Sequence, residues 1–191
     1  MKMADFHDLL ADFVSAIEAC QDRVNPDVLA RCRRFVDRVS QRVSLAQDVT
    51  VIAIAGATGS GKSSLFNALT RTALAQPGVQ RPMTRTAMAA TFGDHDTAAL
   101  LDWLGVTKRH VLPGGKLKGI VLIDMVDMDS VALAHQEEVD RILEAVDEIF
   151  WVVDPQKYAD ATLHDRYLRR FSGHQAVMTF VLNQMDRLSA R

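Results

Sequence analysis

The fold of this chain is decided by the stretch Gly56-Ala57-Thr58-Gly59-Ser60-Gly61-Lys62-Ser63. The stretch fits the pattern G-x-x-x-x-G-K-[ST], follows an apolar run at residues 49–55 and opens a helical pattern at residue 62. Its three glycines let the backbone curl until the N–H groups point inward at phosphate oxygens, and the N-terminal end of the following helix adds positive potential. We therefore predict a strand, a phosphate-binding loop and a helix in this order.

The side chains of this loop predict a nucleoside triphosphate site. The Lys62 ammonium is suited to bridging the β and γ phosphates, and the Ser63 hydroxyl is suited to binding Mg²⁺. We expect Lys62 to face solvent, so that its replacement would leave the fold intact. The residues assigned to the nucleotide in this loop are Gly56, Thr58, Gly59, Ser60, Gly61, Lys62, Ser63 and Ser64.

Short apolar runs alternate with helical patterns on both sides of the loop. The runs cover residues 49–55, 119–123, 148–153 and 177–182, and the helical patterns cover residues 62–71, 97–104, 131–146 and 161–171. Continuous apolar runs of this length are typical of strands buried in a parallel sheet. The pattern predicts an α/β fold of the P-loop NTPase type, with three layers around a doubly wound, mostly parallel sheet.

A helical hairpin is predicted ahead of this sheet. Apolar residues recur at helical spacing between residues 6 and 17 and again between residues 28 and 39. Asn25 and Pro26 separate the two patterns, and they suit the N-cap and the first position of a helix. We therefore divide the chain into a hairpin at residues 1–47 and a nucleotide-binding domain at residues 48–191.

Composition excludes several classes of protein. With 48% hydrophobic and 24% charged residues, the chain is neither disordered nor built on disulfides, and its two cysteines suit reduced core thiols. The net charge of −2 gives no strong signal for nucleic acid. No apolar run approaches the roughly 20 residues that cross a bilayer, and the N-terminus lacks the features of a signal peptide. We expect a cytoplasmic location.

Two further motifs follow predicted strands. Asp124 ends an apolar strand and is suited to holding a Mg²⁺-bound water beside the triphosphate. Asn183-Gln184-Met185-Asp186 directly follows the last strand, and an aspartate in that position can accept two hydrogen bonds from guanine. Adenine cannot make this pairing, so the motif favours GTP and GDP as ligands.

On these motifs the sequence resembles the Era-like and dynamin-like bacterial GTPases, especially the YfjP-type group, and its phosphate loop is also similar to that of the immunity-related GTPases. The stretches that carry the resemblance are residues 56–69, 81–84, 122–127 and 183–186. The resemblance implies that Thr84 lies in a first switch segment and reaches Mg²⁺ through its hydroxyl when the γ-phosphate is present. It also implies a catalytic role for Lys62 and Thr84, with Thr86 as the alternative to Thr84.

Three positions depart from the family pattern. Asp127 stands where the D-x-x-G motif has glycine. The aspartate retains the backbone amide but adds a carboxylate close to a negative ligand. This carboxylate is expected to weaken triphosphate binding unless the side chain turns away. Gln184 replaces the usual lysine of N-K-x-D. Met128 stands where some GTPases have the glutamine that orients the attacking water. We therefore expect slow intrinsic hydrolysis.

The resemblance also implies a guanine-ring loop of the S-A-K type beyond a further helix and strand. Ser189-Ala190-Arg191 follows Asp186 too soon to leave room for those elements. We expect a domain that is incomplete at its C-terminus, and membrane association only through segments absent from this chain.

The sequence thus predicts a GTP-binding switch that uses Mg²⁺ and hydrolyses GTP slowly to GDP. It predicts possible self-association, or an effector protein, at the switch regions. One alternative is a nucleotide-binding scaffold that hydrolyses nothing, and another is an ATP-using kinase or ATPase with a phosphate loop.

Overall fold

The structure is a computed structural model that describes residues 3–45, 48–75, 86–128, 136–155 and 176–187. Its internal contacts divide the chain into two compact units, Met1–Gln47 and Asp48–Arg191. The helix predicted at residues 161–171, the first part of the one predicted at residues 131–146, and Thr84 lie outside the described residues.

The first unit is a helical hairpin, as predicted, made of α1 (Met3–Ala19) and α2 (Pro26–Leu45). Asn25 begins the second helix: its side-chain oxygen accepts a hydrogen bond from the Asp27 N–H at 2.8 Å. Pro26 occupies the first helical position, where its missing N–H costs no hydrogen bond. Between the helices the rings of Phe13 and Phe35 meet edge to face, with centroids 6.1 Å apart.

The second unit is built on one six-stranded sheet with the strand order β3-β2-β4-β1-β5-β6. Its strands are β1 (Thr50–Gly56), β2 (Met88–Phe92), β3 (Lys108–Leu112), β4 (Ile120–Asp124), β5 (Glu148–Val153) and β6 (Met178–Leu182). Its described helices are α3 (Lys62–Thr70), α4 (Ala98–Leu104) and α5 (Gln136–Leu143). β2 runs antiparallel to β4, and the other pairs are parallel. This confirms the predicted α/β fold with a mostly parallel sheet, which follows the N-terminal helices in the sequence.

β1 occupies the centre of the sheet, paired with β4 on one side and with β5 on the other. Its side chains at Val51, Ala53 and Ile54 are fully buried, and Phe66 of α3 and Trp151 of β5 are buried as completely. Residues covered on both faces read as a continuous apolar run, which is why the sequence indicated this strand.

The sequence analysis missed two strands, β2 and β3. β2 has the sequence Met-Ala-Ala-Thr-Phe, and alanine has a low preference for strands. β3 lies at an edge of the sheet and begins with Lys108 and Arg109, so it lacks the apolar run of a central strand. Neither pattern resembles the continuous runs that identified the other four strands.

The topology brings the predicted motifs to one edge of the sheet. β1, β4, β5 and β6 run in the same direction, so their carboxyl ends lie side by side. The phosphate loop follows β1, Asp124 ends β4 and is followed by residues 125–128, and Asn183 follows β6. Ligands of open α/β sheets bind at this kind of edge. Among the described helices, none combines the length and apolar character that crossing a membrane requires.

Candidate nucleotide site

The phosphate loop connects β1 to α3 and depends on glycine at two positions. Gly56 has a φ of 148°, and a Cβ there would lie 2.3 Å from the carbonyl oxygen of Val152 on β5. Gly61 has a φ of 97°, and a Cβ there would lie 2.2 Å from the side-chain nitrogen of Asn183. Both positions need glycine for conformation and for space, because neighbouring parts of the site pack directly against the loop.

Lys62 is buried, in contrast to the expectation that it faces solvent. Its ammonium donates hydrogen bonds to the Ala57 carbonyl oxygen at 3.0 Å and to Asp127 Oδ1 at 2.6 Å. The side chain of Lys62 is 3% exposed and that of Asp127 is 7% exposed, so the two form a buried ion pair. The Asp127 side chain therefore turns toward the ammonium that the loop pattern assigns to phosphate.

Ser63 and Asp124 lie together beside this pair. The Ser63 hydroxyl donates a hydrogen bond to Asp124 Oδ2 at 2.8 Å. Oδ1 of the same carboxylate is buried and has no hydrogen-bond partner within the part of the chain that the structure describes. Burial raises the pKa of Asp124 to about 6, and the charge of Asp127 acts in the same direction. The Ser63 hydrogen bond and the Lys62 charge oppose that rise.

This hydroxyl and carboxylate suit Mg²⁺, which prefers oxygen ligands and takes few of them from the protein when it also binds phosphates. Asp124 Oδ1, which accepts no hydrogen bond from any described residue, is a buried acceptor whose charge a cation would compensate. Of the two candidate switch threonines, Thr84 lies outside the described residues, and Thr86 is exposed just ahead of β2.

The predicted base-reading motif contacts the phosphate loop. The Asn183 N–H donates to the Val153 carbonyl at 2.9 Å, which fixes the start of the motif to β5. The Asn183 side chain donates to the Ser60 carbonyl at 2.9 Å, and the Gln184 side chain donates to the Gly59 carbonyl at 2.7 Å. Asp186 lies in the following 3-10 turn, Met185–Arg187, and is exposed.

The remaining predicted residues belong to the phosphate loop itself or to the first turn of α3. Thr58 and Ser60 are buried, and the Ser60 hydroxyl has no hydrogen-bond partner among the described residues, whereas Gly59 and Ser64 are exposed. The sequence analysis did not foresee the two contacts that Asn183 and Gln184 make with the loop, or the pairing of Lys62 with Asp127. The replacement of glycine by aspartate was the only sequence signal for that pair.

The chain is similar to known proteins in sequence and in fold. The sequence profile of the family described as 50S ribosome-binding GTPase matches residues 51–184. No curated protein sequence matches the chain.

Three solved structures share the fold. An Era variant from Aquifex aeolicus bound to GDP·AlF₄⁻ superposes with a TM-score of 0.52 at 17% identity, over 75% of this chain and 43% of that one. Era in complex with MgGDPNP and a segment of 16S ribosomal RNA superposes with a TM-score of 0.54 at 17% sequence identity, over 75% of this chain and 43% of that one. An oligomerised bacterial dynamin pair, described as sensing and tethering membranes, superposes with a TM-score of 0.51 at 15% sequence identity. The match covers 98% of this chain and 37% of that one.

The chain thus spans less than half the length of these solved structures. At these identities the likeness concerns the fold alone, and it confirms the resemblance to Era-like and dynamin-like proteins. The family profile covers the phosphate loop, Asp124 and Asn183 in one continuous match. The chain therefore belongs to the 50S ribosome-binding GTPase family.

Proposed function

We propose that this chain is a switch protein that binds GTP and GDP with Mg²⁺ and hydrolyses GTP slowly to GDP. The observation that carries the proposal is the pair of hydrogen bonds from Asn183 and Gln184 to the backbone of the phosphate loop. Residues that follow strands on different parts of the chain thereby form one site, with a phosphate-binding loop at one end and Asp186 at the other.

The guanine preference rests on Asp186. An ionised carboxylate offers only acceptors, which match the two donors on one edge of guanine. Its place in an exposed turn, two residues beyond the loop-bound Gln184, supports a role in contacting the base. Gln184 also retains the N–H donor that the loop carbonyl needs, although it lacks the charge of the usual lysine.

Within the site, each group has a distinct role in the proposed reaction. Backbone N–H groups of the loop and the Lys62 ammonium would hold the phosphates, while Ser63, Asp124 and Thr84 would hold Mg²⁺. The metal would neutralise charge that develops on the phosphates. Hydrolysis would be an in-line attack of water on the γ-phosphate, for which the chain supplies positioning and electrostatic stabilisation.

Slow hydrolysis is proposed because residues 125–128, the described segment directly after β4, offer no group free to orient the water. Met128 is apolar and buried, at 2% exposure, and Asp127 is engaged with Lys62. The same two residues favour the second candidate function, a nucleotide-binding scaffold that does not hydrolyse GTP. An ATP-using kinase or ATPase is the third, and the Asp186 carboxylate argues against it.

Partners and location form part of the proposal. The residues around Thr84 and after Asp124 would change with the nucleotide, so they are the proposed surface for an effector or a second copy. A cytoplasmic location is supported by Cys20 and Cys32, two free thiols in the hairpin that suit a reducing compartment.

Single-turnover release of phosphate from GTP with Mg²⁺ tests the proposal. We expect slow but measurable release that disappears in Ser63→Ala and persists in Ser44→Ala, an exposed helical serine in the first unit. Tight GTP binding without any release would establish the scaffold instead. Competition by ATP as effective as that by GTP would favour the third candidate.

A further inference from the structure

We propose that Asp127 is an internal competitor of the nucleotide for Lys62, and that this competition makes the protein prefer GDP over GTP. The inference rests on the proposed function, since it concerns how the same site discriminates between its two ligands. It adds a specificity-determining residue that the loop pattern does not contain.

The geometry of the Lys62–Asp127 pair supports this competition. Asp127 Oδ1 accepts a hydrogen bond from the Lys62 ammonium at 2.6 Å, and more than nine-tenths of each side chain is buried. A charge-assisted contact of this length is among the strong interactions of a protein interior. Lys62 is therefore already held by an anion that belongs to the chain itself.

The Lys62 ammonium has only a few hydrogen-bond donors to share. It carries three N–H donors, of which one serves the Ala57 carbonyl and one serves Asp127. The lysine of a phosphate loop acts on both the β and γ phosphates. A nucleotide that uses Lys62 in this way must compete with the Asp127 carboxylate for the same donors.

Hydrogen bonds of the neighbouring backbone hold Asp127 at the site. The Met125 N–H donates to the Ile54 carbonyl at 3.1 Å, and the Met128 N–H donates to the Gly56 carbonyl at 3.3 Å. The segment is thus attached on both sides of Asp127 to the strand that carries the phosphate loop. A carboxylate displaced from Lys62 stays close to the bound phosphates unless its side chain rotates outward.

Charge then discriminates between the two nucleotides. Displacing Asp127 brings a buried anion next to the phosphates, and like charges repel strongly where water is excluded. The triphosphate carries its additional charge at the γ end, which Lys62 would also contact. The competition therefore weakens the binding of GTP more than the binding of GDP.

The test is the substitution Asp127→Asn, which keeps the shape of the side chain and removes its charge. Dissociation constants for GDP and for the non-hydrolysable analogue GDPNP are measured with Mg²⁺ on the full chain. We expect GDPNP to bind about tenfold more tightly than to the unsubstituted protein, with a change of about threefold or less for GDP. Asp94→Asn removes the same charge from an exposed residue and should leave both constants unchanged.

Folding is monitored by thermal unfolding, and Asp127→Gly provides the same measurement if the asparagine variant does not fold. An unchanged ratio of the two constants, with both nucleotides still bound, would overturn the role of Asp127 and leave the proposed function intact. Failure of the unsubstituted protein and of the variants to bind either nucleotide would overturn the proposed function itself, and this inference with it.

Discussion

The side-chain amide of Asn183 donates a hydrogen bond of 2.9 Å to the backbone carbonyl of Ser60, across 123 positions of sequence. This bond joins the loop that follows β6 to the loop that follows β1. The approach is so close that only the absence of a side chain at Gly61 leaves room for the amide. The two loops that we propose to bind the phosphates and the base are therefore in direct contact.

Gly61→Ala is expected to damage both ends of the site. An alanine at a φ of 97° costs about 1–2 kcal/mol in backbone strain, and its Cβ would displace the Asn183 amide. We expect urea denaturation to show a loss of stability of at least that size, together with loss of GDP binding. Gly115→Ala is the matched control, because Gly115 also has a positive φ but nothing lies within 4 Å of the place that a Cβ would occupy there. Equal behaviour of the two variants would contradict the proposed contact between Gly61 and Asn183.

Lys62→Ala is expected to destabilise the fold, contrary to the expectation from sequence. It leaves the Asp127 carboxylate buried without its ammonium, and breaking a buried pair in this way costs about 3–5 kcal/mol. The double variant Lys62→Ala/Asp127→Ala should recover much of this loss in urea denaturation. Nucleotide binding should fall about 10- to 150-fold in the single variant, because a charge-assisted bond to phosphate is lost. Additive effects of the two substitutions on stability would show that the pair does not matter.

Gln184 is expected to tolerate lysine better than alanine. Its side chain donates to the Gly59 carbonyl at 2.7 Å, and a lysine ammonium can supply a donor to the same oxygen. Gln184→Ala removes a bond worth about 0.5–1.5 kcal/mol, so we expect GDP to bind about 2- to 12-fold more weakly. Gln184→Lys should remain within about threefold of the unsubstituted protein. Fluorescence titration with labelled GDP provides the measurement, and a loss in the lysine variant as large as in the alanine variant would argue against this role.

Asp186→Asn is expected to change the preferred base. Asparagine replaces one acceptor by an NH₂ donor, which suits the 2-carbonyl of xanthine and no longer suits the amino group of guanine. We expect GTP to bind at least about tenfold more weakly, xanthosine triphosphate to bind more tightly, and ATP binding to change little. Competition among the three nucleotides checks this directly. A variant that keeps its preference for GTP would show that residues 183–186 do not read the base.

Several features of this protein follow from short stretches of sequence. The phosphate loop at residues 56–63 could be recognised from sequence because its glycines, lysine and serine are close together in the chain. Recognising their chemistry does not depend on a distant partner. β1, β4, β5 and β6 were predictable because strands buried on both faces are continuous apolar runs. The hairpin was predictable from apolar residues at helical spacing and from the cap at Asn25.

Tertiary structure decided the features that depend on which distant residues meet. β3 is held in the sheet by pairing with β2, and β2 also pairs with β4, since the sequence patterns of these two strands are short or partly charged. The sequence shows a carboxylate at Asp127, but the direction in which this side chain points could not be predicted from it. Lys62 lies 65 positions away, and the fold brings the two together because β1 and β4 pair in parallel and end at the same edge of the sheet. That pairing places the carboxylate in a buried ion pair with the lysine that the loop pattern assigns to phosphate.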